Sequence, residues 1–261
     1  LVGQDADGQR ILSDCAEAGI DTRFLRTVED VPTAYTDVMT VRESGRRTFF
    51  HNRGANALLS PEDYPLDELS CRILTLGYLL LLDGMDEDDS EYGTRAARVL
   101  AGCRERGILT AVDVVSEDSD RFARIVTPAL AHVDYLVINE IEAARTTGTE
   151  LRGGETLDRG ALERAAELLL DNGVKQAVVI HTPEAAFGLT ASSEATWRAA
   201  HTLPDGFIRG SAGAGDAFFA GMVAGVYEGW GLGESLRFAN AAAASCLRHP
   251  TCSGGVGDAA E

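Results

Sequence analysis

The stretch Gly210-Ser211-Ala212-Gly213-Ala214-Gly215-Asp216, running directly into Ala217-Phe218-Phe219-Ala220-Gly221, constrains this chain more than any other feature. Small residues lead to an acid that opens an apolar run, which predicts a turn followed by a helix from about Ala214 to Glu228. With no side chain at Gly213 or Gly215 and only a methyl at Ala214, successive backbone N–H groups can approach an anion at the positive end of that helix. The string therefore favours a phosphate site, although an ordinary tight turn with an acid placed by the helix dipole fits it as well. Other phosphate motifs fit worse. There is no G-x-x-x-x-G-K-[ST], and in a G-x-G-x-x-G register starting at Gly213 the third glycine falls on Phe218, so a dinucleotide fold is not supported.

Short apolar strands near Ile73–Leu76, Leu109–Val114, Tyr135–Ile138 and Ala177–Ile180 alternate with amphipathic helical patterns near 91–106, 119–131, 140–147 and 158–172. That alternation implies an α/β fold with a parallel sheet and helical crossovers. The β segments Ala186–Thr190 and Ala195–Ala200, around Ser192-Ser193, predict an edge hairpin, and helical patterns over about 214–228 and 233–247 follow. Upstream, residues 34–42 and 46–51, separated by Glu43-Ser44-Gly45, carry a hairpin signature. Leu1-Val2-Gly3, followed by Asp5, Gly8, Ile11, Leu12, Cys15 and Ala18, reads as a strand end, a turn and a helix closing at Gly19. The chain thus opens like the middle of a fold, and earlier strands are expected upstream. No repeat or linker divides it, and 261 residues suit one large α/β domain with an appendage.

Charge narrows the partners. With 41 acidic against 23 basic residues, a net charge of −18 and no basic stripe, nucleic acid and anionic membranes are poor candidates. The longest wholly apolar run, Leu79 to Leu82, is far below the ~20 residues of a membrane span. Five scattered cysteines without a C-x-x-C pair argue against a disulfide framework or zinc site. With no leader before Leu1, the expected setting is the cytoplasm, with reduced thiols.

Gly213-Ala214-Gly215-Asp216 at the start of an apolar helix resembles the second signature of the ribokinase-like carbohydrate kinases, the PfkB family. The resemblance continues along the chain in order. Val2-Gly3 with Asp5 and Gly8, then Gly19-Ile20-Asp21, is similar to the family's early helix; Pro32-Thr33 opening a hairpin is similar to its β lid, here about 33–52; and Asn139-Glu140-Ile141-Glu142 is similar to its Asn-x-x-Glu motif. The family's first strands, a substrate-binding Asp and a Gly-Gly segment would lie before Leu1, so the resemblance implies roughly 40–60 further residues in the natural protein. It also implies a ribokinase-like three-layer sandwich with a mostly parallel central sheet and a small β lid. The implied reaction is transfer of the γ-phosphoryl group of ATP, with Mg²⁺, to a hydroxymethyl group of a sugar or polyol. Asp216 would be the base, and the amides of Gly213, Ala214 and Gly215 the anion hole.

The remaining candidate residues carry two readings each. Asn139 and Glu142, three apart at a helix start, share a face that can hold water-coordinated Mg²⁺ beside the nucleotide; they also spell a capping box. In the loop His181-Thr182-Pro183-Glu184-Ala185-Ala186 both glycines of the family's Thr-Leu-Gly-x-x-Gly are lost. Pro183 stiffens it and removes a donor, so nucleotide contacts through His181 and Thr182 must differ, and His181 can instead be a packed residue. Gly210 stands where the family usually has a cation-binding Asp, with Ala212 where Thr is common, which puts a potassium site in doubt. Asn240, among Ala241, Ala243 and Ala244, resembles the adenine-side wall, and the small residues suit helix packing equally. On the acceptor side Asn56, Tyr78 and Asp113 lie where open α/β sheets collect ligands, beyond the strands' carboxyl ends. Asn56 also reads as a turn residue, Asp113 as a helix cap, and Arg53 as either positive charge at the mouth or a lid salt bridge. Tyr35, Val38, Val41, Phe49 and Phe50 of the hairpin need apolar cover, which predicts a homodimer through the lid. Two alternatives stay open: a nucleoside kinase on the same scaffold, and a non-catalytic ligand-binding relative.

Overall fold

The computed structural model describes residues 1–40 and 47–257. In chain order it begins with β1 (Val2–Gly3), α1 (Ala6–Glu17), β2 (Thr27–Val28), β3 (Tyr35–Thr40) and β4 (Arg47–Asn52). Two short 3-10 turns, Gly54–Leu58 and Pro61–Asp63, lead to β5 (Ile73–Leu79), the small strands β6 (Asp88–Asp89) and β7 (Gly93–Thr94), and α2 (Arg95–Glu105). Next come β8 (Leu109–Val114), α3 (Phe122–Leu130), β9 (Tyr135–Asn139), α4 (Glu140–Thr147), the paired β10 (Arg152–Gly153) and β11 (Thr156–Leu157), and α5 (Arg159–Asp171). The last elements are β12 (Ala177–His181), β13 (Ala185–Thr190), β14 (Ala195–Ala199), α6 (Ala214–Glu228) and α7 (Leu232–Leu247).

The main sheet has the order β14-β13-β12-β9-β8-β5. β5, β8, β9 and β12 run parallel, and β13 and β14 add an antiparallel hairpin at the β12 side. The two-residue period of a strand decides the layering. Leu136, Ile138, Val178 and Ile180 point into a core shared with Leu100, Ile125 and Leu162 of the crossover helices. Val137 and Val179 point the other way, onto Phe218, Met222, Leu236 and Ala239 of α6 and α7. Each fully buried aliphatic side chain of this kind contributes about 1.5–3 kcal/mol relative to exposure. The outcome is helices, sheet, helices. α6 and α7 lie side by side on this face, α6 against β9 and α7 against β13 and β14, packed so closely that a Cβ on Gly221 would sit 2.7 Å from Ala239 Cα.

Several expected boundaries move for local reasons. The helix anticipated near 91–106 starts at Arg95, because Asp88–Asp89 and Gly93–Thr94 pair as a small hairpin and the Thr94 hydroxyl caps Ala97 N–H at 3.1 Å. The strand expected over Ile73–Leu76 continues to Leu79 through an irregularity in its pairing with β8. The 181–186 segment is a tight turn joining β12 to the antiparallel β13, in place of an open loop. In the hairpin, β3 and β4 pair from Tyr35↔Asn52 to Thr40↔Arg47, while Val41 and the turn Glu43-Ser44-Gly45 lie outside the described residues. Among the described residues no helix is long and apolar enough to cross a membrane.

Candidate active site

Strand register assembles the site. β9 and β12 pair as Ile138↔Ile180 and Asn139↔His181, so both strands end level, and the alternation that sends Val137 and Val179 toward α6 sends Asn139 and His181 there too. The His181 ring packs on Phe218 with centroids 4.8 Å apart. Burial by these walls lowers the His181 pKa, so the imidazole is neutral near pH 7. A cavity of about 690 Å³ opens at this end of the sheet, bounded by Asn139, His181, Thr182, Ala214, Ile208 and Asn240. Five residues singled out from sequence therefore share one wall system. Their chemistry is partly committed already: the Thr182 hydroxyl donates to Ala185 O at 3.0 Å within its turn, and the Asn240 amide donates to Ala199 O at 3.2 Å.

The glycine loop enters α6 beside that cavity. Gly213 sits at φ +81°, and a Cβ there would lie 2.4 Å from Cys252 O, so both conformation and space demand glycine. No side chain caps α6, which leaves its first-turn N–H groups without intrahelical partners, as an anion site requires. Asp216 sits in this first turn, and the Tyr78 hydroxyl donates to its Oδ1. Partial burial holds the Asp216 carboxyl above its ordinary pKa, the direction that makes a carboxylate a better base. At Gly210 a Cβ would lie 2.9 Å from two backbone atoms of the neighbouring segment, His249 O and Pro250 Cα, so a cation-binding side chain does not fit there without moving that backbone.

Asn139 and Glu142 form the full capping box. The Asn139 side chain accepts from Ile141 N and Glu142 N at 2.9 and 3.0 Å, and Glu142 Oε2 accepts from Asn139 N at 2.9 Å. Glu142 Oε1 accepts from the Asn139 amide at 2.6 Å and from Ser116 Oγ at 2.7 Å. Glu142 is only 3% exposed, and burial pushes its pKa up to about 7. Asp113 is also buried; burial first, and the Glu142 charge second, raise its pKa well above the carboxylate range. Its Oδ1 accepts from its own neighbour Val114 N at 2.8 Å; it lies off the wall of this cavity and caps no helix, which corrects the helix-cap reading of that residue. Asn56 lies in the 3-10 turn after the hairpin, away from the cavity wall. Arg53 is a salt bridge rather than a free charge at the mouth, reaching Asp83 at 2.5 Å and Leu80 O at 3.2 Å.

Sequence reasoning missed three contributors. Ser116 completes the Asn139–Glu142 cluster. Arg152 joins Glu140 and Glu184, each at 2.7 Å, and braces the 182–184 turn from outside, holding the Glu184 carboxyl down to about 2. The segment after β14 supplies Leu203, Ile208 and Ser211 to the cavity. None has a periodic signal, because each acts through a partner remote in sequence.

The chain matches the model of the pfkB family of carbohydrate kinases over residues 1–257. It is 26% identical to a ribokinase of Arabidopsis thaliana over 249 residues, 95% of this chain and 61% of that protein, so it spans less than two thirds of that relative's length. Among solved structures, Arabidopsis thaliana ribokinase complexed with ribose and ATP superposes with a TM-score of 0.76 at 23% identity, covering 99% of this chain and 78% of that one. A Burkholderia thailandensis nucleoside kinase complexed with inosine gives 0.74 at 17% identity, covering 100% and 77%. The fold is ribokinase-like, with a mostly parallel central sheet. With a matching family model along nearly its whole length, and Ser211 and Ala214 of the glycine loop facing the strand ends Asn139 and His181 across one cavity, the chain belongs to the pfkB carbohydrate kinase family.

Proposed function

We propose that this chain transfers the γ-phosphoryl group of ATP to a hydroxymethyl group of a sugar or sugar-like molecule. The observation that carries the reading is Asp216 in the first turn of α6, beside uncapped amides and two residues beyond Ala214, which lines the 690 Å³ cavity. In the step, the acceptor O–H gives its proton to the Asp216 carboxylate as a bond forms between that oxygen and the γ-phosphorus. The bond from the γ-phosphorus to the β–γ bridging oxygen breaks, and ADP leaves with its electron pair. The N–H groups of Gly213, Ala214 and Gly215 face the developing negative charge, which is where preorganised donors act most strongly. Asn139, His181, Thr182 and Asn240 form the nucleotide side; Tyr78 approaches Asp216 from the acceptor side.

The donors fit a Mg²⁺ ion held through water. Both Glu142 oxygens already accept hydrogen bonds, and among the described residues no group of three or more acidic, His or Cys side chains can encage a metal. Asn139, Ser116 and Glu142 would therefore orient the ion's water shell while nucleotide oxygens ligate it directly. When bound, Mg²⁺ neutralises charge on the phosphate oxygens.

The described part of the hairpin supports a lid that also forms a homodimer contact. Met39 and Phe50 are 59% and 57% exposed, and a two-stranded ribbon is marginal unless its apolar side chains are covered.

The test is ADP release by the full chain with ketoses, pentoses, sugar acids and nucleosides offered in turn. Turnover with a sugar supports the reading, and inosine turned over with a higher kcat/KM than any sugar selects the nucleoside alternative. ATP binding without ADP release above background for every acceptor overturns the kinase reading in favour of a non-catalytic relative.

A further inference from the structure

Tyr78 reaches Asp216 from an unusual place. Pairing between β5 and β8 is regular from Ile73↔Leu109 to Leu76↔Val112, breaks, and resumes at Leu79↔Val114. Tyr78 lies in the break, released from the sheet's alternation, and its hydroxyl crosses to an acid 138 residues further along the chain. The turn that follows is clamped on three sides. Leu80 sits at φ +75°, its N–H donates to Asp86 Oδ1 at 3.1 Å, and its carbonyl accepts from Arg53 at 3.2 Å and from Arg121 at 2.9 Å. Two guanidinium groups and a buried carboxylate thus fix the backbone two residues beyond the tyrosine.

Building on the reading of Asp216 as base, we propose that Tyr78 is its positioning residue, holding Oδ1 so that Oδ2 is presented to the acceptor hydroxyl. Among the described residues the Tyr78 hydroxyl is the side-chain donor to Asp216, beside the acid's own backbone N–H. Two donors do not saturate a carboxylate, which has about four lone-pair sites, so capacity for the acceptor proton remains. The other groups facing this acid do not replace the contact. His181 lies beside Gly215 and is neutral, and the Cys246 thiol on α7 is itself raised, by burial first and then by the charges of Cys252 and Asp216. A phenol hydroxyl donating to the charged form also favours ionisation, opposing the burial that raises the Asp216 pKa.

The experiment uses the full chain labelled with ¹³C-aspartate, with the Asp216 carboxyl signal identified by its loss in Asp216→Asn. Tyr78→Phe keeps the ring and removes the hydroxyl. Its expected effects are a rise in the Asp216 pKa of about one unit, and a fall in kcat of roughly ten- to a hundredfold with KM for ATP unchanged, as loss of one hydrogen bond to a charged group predicts. Turnover is read with ATP and ribose or inosine, and the acidic limb of its pH profile should move upward with the carboxyl titration. Tyr78→Phe added to Asp216→Asn should cost nothing further. An unchanged Asp216 titration in Tyr78→Phe overturns the proposal, as does a double variant slower than Asp216→Asn by the full single-variant factor. Near-native turnover in Asp216→Asn overturns the base assignment itself; the titration shift, read without substrate, tells that failure apart from loss of the Tyr78 contact.

Discussion

Replacing Gly213 by alanine tests the anion hole without touching any charged group. Two costs follow from the geometry. At φ +81° a Cβ is strained by roughly 1–2 kcal/mol, the left-handed penalty of an L-residue. The new methyl would lie 2.4 Å from Cys252 O and 2.9 Å from Cys252 Cα, backbone atoms that cannot swing aside as a side chain would. Overpacking of that kind adds about 1–3 kcal/mol. The sum, roughly 2–5 kcal/mol, corresponds to a fall in Tm on the order of 5–15 °C for a chain of this size. Relief requires the 210–214 loop to move, which swings the first-turn amides of α6 away from the phosphate position, and losing one such donor costs about 10²–10³ in kcat. Gly229→Ala is the control: its φ of +75° is equally positive, but nothing lies within 4 Å of its Cβ and it caps the far end of α6. That variant should lose only the conformational part of the stability and keep its kcat. Calorimetry and ADP-release kinetics on both variants decide the matter. Near-native kcat in Gly213→Ala, with a Tm loss no larger than that of Gly229→Ala, would refute the reasoning.

Asp216→Asn should lower turnover by about 10²–10⁴ while leaving ATP affinity within a few-fold, since the amide keeps the shape but takes no proton; near-native kcat by steady-state assay would remove Asp216 from the mechanism. The Asp113–Glu142 pair predicts a pH dependence of stability whose sign is set by the raised pKa values. A carboxyl raised to about 7 in the folded state stabilises below its unfolded value near 4.5 and loses that contribution as pH rises through 7, so Tm should fall between pH 5 and pH 8. Asp113→Asn removes the like charge and should raise Tm at pH 8 more than at pH 5; a scan showing no difference between the two pH values argues against a charged buried pair. For the lid, the full chain should sediment as a dimer at micromolar concentration and Phe50→Glu as a monomer of unchanged Tm, whereas a monomeric wild type leaves the hairpin as a simple cover.

What the sequence determined alone was whatever depends on local spacing. The α/β alternation, the edge hairpin and the start of α6 were legible because two- and 3.6-residue periods are imposed by backbone geometry before any tertiary contact forms. The glycine string was equally legible: only small residues permit Gly213's conformation and its closeness to Cys252. The capping box of Asn139 and Glu142 was readable for the same reason, being a device confined to one helical turn. Tertiary structure decided the rest. That His181 stands level with Asn139 is a matter of β9–β12 register, set by pairing between strands that an entire crossover separates in the chain. Asp113 reads identically at a strand end whether it meets solvent or, as here, is buried beside Glu142. Tyr78 meets Asp216 because β5 loses its register between Leu76 and Leu79 and two arginines clamp the turn beyond, and no local pattern in Leu76-Gly77-Tyr78-Leu79 encodes an event whose partners lie at 53, 121 and 216.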